Sequence, residues 1–268
     1  MKPIYLVFLL SVILQGSFLP SNNPSTAGEP KLYFFNPDSA QSNLGHLKSE
    51  METFFDRSGY PVSFQAFSYQ TDFEAKIRDQ QPQFLFAPEW YIEKHQRKLK
   101  IKPFLEPVHK GTTTYHMVLL VAKSSGITLD SIENHSLAMT SLGPDSWELL
   151  NQILFPNHFK KTFPLHPVIV PKSVDALFAL FLGHVDSALV VQEHLENFEK
   201  MLPKIIDGLR PLVLSKPIPM PMFCYSEELV AQAEIENFRS VFLAEGSKMF
   251  RNRLSELLQI DEWRKTSK

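Results

Sequence analysis

The sequence predicts an α/β protein of two lobes with mostly parallel sheets, joined by two crossover segments. Three observations predict it. Short apolar runs alternate with stretches of helical spacing along the chain. The alternation restarts after a long apolar run, Tyr115 to Ala122, as a second unit would. A segment dense in proline, Ser215-Lys216-Pro217-Ile218-Pro219-Met220-Pro221, then leads back, and it is extended because prolines at this density forbid a helix. The expected organisation is a leader over 1–27, the first part of lobe one over 28–114, lobe two over 115–212, and a return hinge with the rest of lobe one over 213–268.

In lobe one, Leu32-Tyr33-Phe34-Phe35 reads as a short buried strand, broken by Asn36-Pro37-Asp38. Leu44, Leu47, Met51 and Phe54 recur at helical spacing, and Val62 to Phe67 is a second strand. Thr71-Asp72-Phe73-Glu74 has the form of a capping box opening a short helix. Phe84-Leu85-Phe86-Ala87 is a third strand, stopped by Pro88, and Glu89-Trp90-Tyr91-Ile92 begins the next helix. In lobe two, Leu137-Ala138-Met139, Val168-Ile169-Val170 and Ala188-Leu189-Val190-Val191 are strands. Asp145-Ser146-Trp147-Glu148 starts one helix. Ser173 is expected to cap another, with Val174, Leu177, Phe178, Phe181 and Leu182 as its apolar stripe and Gly183 as its end. Two helices close the chain, carrying Leu229, Phe238, Val241 and Phe242, then Met249, Leu254, Leu257 and Leu258.

Composition narrows the function. Lys plus Arg total 27 against 29 Asp plus Glu, so no general polyanion-binding surface is implied and nucleic acid is excluded as the main partner. The single cysteine, Cys224, rules out an internal disulfide and a cysteine zinc cluster, and its apolar setting marks a buried, inert thiol. No glycine-rich phosphate loop, G-x-S-x-G or H-x-x-x-H occurs, so no cofactor, metal or catalytic set is expected and the chain reads as a non-enzyme. Ile4 to Leu14, preceded only by the charge of Lys2, has the length of a signal-peptide core, and Ser25-Thr26-Ala27 suits cleavage before Gly28. No cysteine stands there to carry a lipid, so a soluble exported protein is expected; an uncleaved anchor is the alternative reading.

These pieces together resemble the type II periplasmic solute-binding proteins, in the phosphate, phosphite and phosphonate-binding (PhnD-like) branch. Phe84 to Tyr91 is similar to that family's third strand, proline and aromatic. Tyr115 to Ala122, then Ser125-Gly126-Ile127, resembles its crossover strand and turn; Gly183-His184-Val185-Asp186-Ser187-Ala188 resembles its G-x-V-D-A-A element; Ser215 to Pro219 resembles its S-x-P-I-P return. The resemblance implies a periplasmic protein, monomeric, that closes around a small polar ligand, phosphonate- or phosphate-like, for an ABC transporter permease. A periplasmic sensory protein presenting its bound state to a membrane receptor, such as a histidine kinase, is the alternative.

The family's anion turn corresponds here to Thr140-Ser141-Leu142-Gly143-Pro144-Asp145-Ser146-Trp147. It departs from the family pattern, because Asp145 would repel an anion and Pro144 lacks a donor, though Thr140, Ser141 and Ser146 keep hydroxyls. By the resemblance, Tyr115 and Asp186 also face the ligand, and at least one of Trp90 and Tyr91 does. Read from the residues alone, Trp90 and Tyr91 wall a cleft or pack beneath their helix, Asp186 is a ligand contact or a turn residue before a strand, and His116 is a satisfied surface histidine. The basic cluster from Lys94 to Lys102 reads as a solvated face, with a contact surface for an acidic partner as the alternative.

Overall fold

A computed structural model describes residues 28–38, 43–142, 150–151, 166–243 and 254–266. The leader 1–27, the helix start at Asp145 and the segment around Met249 lie outside the described residues. The apolar runs of lobe one form β1 (Lys31–Phe35), β2 (Ser63–Phe67), β3 (Phe84–Ala87) and β4 (Ile101–Val108). The helices between them are α1 (Leu44–Arg57), α2 (Gln70–Asp79) and α3 (Glu89–Leu99). A ribbon strand β5 (Thr114–Tyr115) leads to β6 (Met117–Ala122), β7 (Ser136–Met139), β8 (His166–Ile169), β9 (Ser187–Val191) and β10 (Leu209–Leu214). In this second lobe the helices are α4 (Ser173–Phe181), α5 (Gln192–Met201) and the short α6 (Pro203–Ile206). The chain returns through β11 (Ile218–Pro219) to β12 (Met222–Ser226), α7 (Gln232–Leu243) and β13 (Glu262–Lys265).

Among the described residues the strands make two large sheets, in the orders β13-β4-β12-β3-β1-β2 and β10-β6-β9-β7-β8, and a two-stranded ribbon of β5 with β11. The expected two-lobed α/β architecture with two crossovers is present, but the sheets are mixed. β1 runs parallel to β2 and β3, and β7 parallel to β8 and β9. The strands that enter or follow a crossover, β6, β10 and β12, instead pair antiparallel to their neighbours. Strand β4 was not legible in the sequence, since Pro103 and Pro107 each lack a ladder N–H and argue against a strand inside a sheet.

Period-2 alternation sorts β1 between two cores. Leu32 and Phe34 join α1 and α7 on one face through Leu47, Phe55, Phe238 and Phe242, while Tyr33 and Phe35 join Phe73 and Tyr91 on the other. Burial on both faces is why these strands read as continuous apolar runs. Helices α1 and α4 end alike. Gly59 and Gly183 adopt φ of 70° and 72°, and the amides of Tyr60 and His184 reach back to the carbonyls of Phe55 and Ala179 at 3.0 and 2.9 Å, closing Schellman turns.

Two helix expectations are corrected. Helix α2 begins at Gln70, with Tyr69 as its N-cap and no side-chain cap bond, so Thr71 lies inside the helix and the capping box does not form. Glu74 accepts instead from Gln70 Nε2 at 2.7 Å. In α4 the N-cap is Lys172, and the buried face is Ser173, Ala176, Leu177 and Leu180. Phe178, Phe181 and Leu182 point outward, 37%, 47% and 59% exposed. Fully buried Ala176 sits in one core with Ala138 and Ala188, and small residues let helix and sheet pack closely in a way the larger Phe side chains would prevent.

Candidate functional site

Loops leaving the carboxyl ends of β1, β2, β7 and β8 converge between the two sheets, the position where open α/β sheets hold ligands. They line a cavity of about 110 Å³ with Asn36 and Pro37 after β1, Ser68 and Tyr69 after β2, Thr140 and Ser141 after β7, and Val170, Pro171 and Lys172 after β8. Three helices, α1, α2 and α4, start at this cavity. Asn43 caps α1 by accepting from the His46 amide at 2.9 Å, whereas α2 and α4 have no side-chain cap bond. Their first-turn amides favour an anion at this side of the cleft, where Lys172 lines the wall, although Asp72 and Asp175 stand in the same first turns.

Beside the cavity stands Asp38. Its carboxylate accepts the Tyr115 hydroxyl at 2.8 Å on one oxygen and the Thr140 hydroxyl at 2.9 Å on the other. Its own amide donates to Asn36 Oδ1 at 3.2 Å, which fixes the turn after β1. The three partners come from three places: Asp38 from the first sheet's loop, Tyr115 from the ribbon, Thr140 from the second sheet. The residue keeps some contact with solvent, but its carboxyl is densely surrounded. That desolvation raises its pKa, and the two hydroxyl bonds oppose the rise. Burial and the adjacent carboxylate hold the Tyr115 hydroxyl well above its ordinary pKa, so it remains a donor.

Behind Asp38 a smaller cavity is lined by His109, Glu193 and His194. Glu193 Oε1, at the start of α5 in lobe two, takes His109 Nε2 at 2.9 Å and Lys110 Nζ at 2.8 Å from lobe one. Burial lowers the pKa of His194.

Of the expected residues, the structure brings Ser141 to the cavity between the sheets and Tyr115, with Asp38, to the edge of the smaller one behind it. Trp90 sits at the start of α3, half-buried and edge-on to Phe35 at 6.4 Å, and faces the return crossover at Lys216 to Pro219. Tyr91 is packed beneath its helix, 1% exposed, with its ring stacked on His95 at 4.3 Å, so of the two readings the core one describes it. Asp186 is not at the cleft. It lies at the amino end of β9, where its carboxylate accepts from the Ser136 amide at 2.9 Å and hydroxyl at 2.8 Å and ties β7 to β9. These bonds lower its pKa. Thr140 follows the other end of β7, so one strand length separates the two sites. Asp145 and Ser146 lie outside the described residues. His116 is satisfied between the crossovers, its Nδ1 2.9 Å from the Ser215 carbonyl, and Cys224 is fully buried with its thiol pKa pushed up by desolvation. Among the described residues no group of three metal-ligating side chains occurs, and no helix is long and apolar enough to cross a membrane.

Asp38 and Lys172 were not identified from the sequence. Asn36-Pro37-Asp38 read only as a strand break, and Lys172 drew no reading because Ser173 was expected to cap the helix.

A family model for the periplasmic substrate-binding protein of phosphonate ABC transporters matches residues 33–268. Among solved structures, the chain is similar to a binding protein component of an ABC phosphonate transporter from Pseudomonas aeruginosa, at 16% identity and TM-score 0.68 over 89% of this chain and 82% of that one. It is also similar to PhnD1 from Prochlorococcus marinus, solved in complex with methylphosphonate, at 10% identity and TM-score 0.67 over 89% of this chain and 93% of that one. A histidine kinase sensor domain with similarity to periplasmic binding proteins aligns at 16% identity and TM-score 0.54, over 87% and 97%. No curated protein matches the chain by sequence.

Proposed function

The chain belongs to the periplasmic substrate-binding proteins of phosphonate ABC transporters, which bind a small ligand and deliver it to a membrane permease, and from that premise we propose that its ligand is a phosphonate or a close oxyanion held between the lobes. The observation that carries this reading is the donor pair of Tyr115 and Thr140, which already grips an acid group at 2.8 and 2.9 Å. A phosphonate offers three acceptor oxygens to such donors. Ser68 and Ser141 add hydroxyls, Lys172 adds a positive charge, and the uncapped starts of α2 and α4 add amides. Contacts from both lobes bind the closed form better than the open one, so the ligand shifts the population toward closure. Residues 1–27 serve as the export signal, and the mature protein acts as a monomer.

The test is a thermal-shift and calorimetric series with methylphosphonate, phosphate, phosphite, a sulfonate and arginine. At a hundredfold excess over Kd, a true ligand stabilises by about 2.7 kcal/mol. Stabilisation by methylphosphonate or phosphate, reduced in Lys172→Ala, supports the reading, and stabilisation by arginine alone defeats it. A second reading, presentation of a closed form to a membrane receptor, is favoured by one feature: the protein's own Asp38 carboxylate occupies the donor pair. Failure of every small molecule to stabilise the protein would favour it.

A further inference from the structure

We propose that the Asp38 carboxylate is an internal anion that holds the two lobes together in the unliganded protein, and that an acidic ligand must displace it. The displacement half rests on the phosphonate reading above, and the closing half does not. Asp38 follows β1 in the first sheet, while Thr140 follows β7 in the second, so the 2.9 Å bond between them spans the cleft. The second oxygen takes the Tyr115 hydroxyl from the ribbon at 2.8 Å. One carboxylate thereby makes the two-donor contact that two oxygens of a phosphonate would make. Thr140 and Asn36, which donates nothing to that pair but fixes the Asp38 turn, also line the cavity the ligand would enter.

The contact is suited to exchange. Its donors are neutral hydroxyls, so the carboxylate is incompletely compensated for the water it loses. A phosphonate would replace both bonds and could add the charge of Lys172, whereas the Asp38 carboxylate bonds to Tyr115 and Thr140. Among the described residues a further bridge joins the lobes, Glu193 with His109 and Lys110; its Lys110 leg, 61% exposed, is weakened by water and salt, while its His109 leg is half-buried.

The test pairs a shape measurement without ligand with a binding measurement. Small-angle scattering is recorded on unliganded wild type, Asp38→Ala, Asp38→Asn and Tyr115→Phe, and each is titrated with methylphosphonate by calorimetry. Asp38→Ala should increase the radius of gyration without ligand and tighten methylphosphonate about tenfold, because the competitor for the donors is gone. Tyr115→Phe should expand the unliganded protein as well, yet weaken methylphosphonate, because it removes a donor shared by both. Asp38→Asn keeps one acceptor oxygen and should fall between wild type and Asp38→Ala; if the alanine variant fails to fold, the asparagine variant alone must show expansion. Unchanged scattering in the aspartate variants overturns the proposal. So does an expanded variant that loses methylphosphonate affinity, since the carboxylate would then be a ligand contact. Expansion of Asp38→Ala in a protein whose wild type ignores methylphosphonate upholds the internal contact and discards the phosphonate reading.

Discussion

Asp38 and Asp186 each accept a serine, threonine or tyrosine hydroxyl, and each joins elements distant in the chain, but at opposite ends of the second sheet. Asp186 stands at the amino rim with its side chain 49% exposed, among an amide, a hydroxyl and His135, all of which favour its charge. Asp38 stands where the carboxyl ends meet, among two hydroxyls and little water, and desolvation outweighs them. The rim aspartate is a fastener within one lobe. The cleft aspartate is a charge held at some cost across two lobes, and that cost makes it a candidate for movement rather than for stability.

Removing a cleft donor gives the largest effect. Tyr115→Phe should weaken methylphosphonate by about 2 kcal/mol, roughly thirtyfold in Kd, the range for a hydrogen bond to a charged group. Calorimetry checks this, and an unchanged Kd would put the tyrosine outside the ligand site. Next is the pH dependence of stability, where the two aspartates act with opposite signs. The Asp38 pKa is raised above 3.8, so the native state holds the extra proton, and stability falls as pH climbs from 3.8 through the raised value. The Asp186 pKa is lowered, so its contribution is full above 3.8 and is lost as pH drops through the lowered value. Urea unfolding across pH, comparing wild type with Asp38→Asn and Asp186→Asn, should show the two differences on opposite sides of 3.8.

Asp186→Ala should cost about 1 kcal/mol of stability after allowance for solvent screening, with methylphosphonate affinity unchanged. A weakened Kd in that variant would break the contrast by giving the rim a part in binding. Smallest is Lys110→Ala, whose exposed ion pair with Glu193 is screened. Its melting temperature should match wild type in 0.5 M salt, on the order of a Debye length of only a few ångströms.

The same contrast explains what could be read in advance. The strands of lobe one were legible because both faces of Leu32 to Phe35 and Phe84 to Ala87 are covered, leaving unbroken apolar runs. The turn-residue reading of Asp186 was also available, since its Ser136 partner lies at the start of an adjacent predicted strand. Asp38 was not legible: its partners Tyr115 and Thr140 are 77 and 102 residues away, and no local pattern marks a residue satisfied at that separation. The outward Phe178 and Phe181 misled for a related reason, because side-chain size identifies apolar residues but not which face a nine-residue helix turns to its sheet.

The β5–β11 ribbon has a mechanical consequence. Tyr115 pairs with Ile218 and Thr114 with Pro219, while the amides of Ser215 and Met220 reach Met117 and Thr113 carbonyls at 2.8 Å. Stitched side by side, the two connections cannot twist separately, so the halves swing about one common pivot. Tyr115 sits on that pivot. If the jaws part about that pivot, its hydroxyl would sweep through little distance, so under the proposed phosphonate reading it would be a fixed point for a guest.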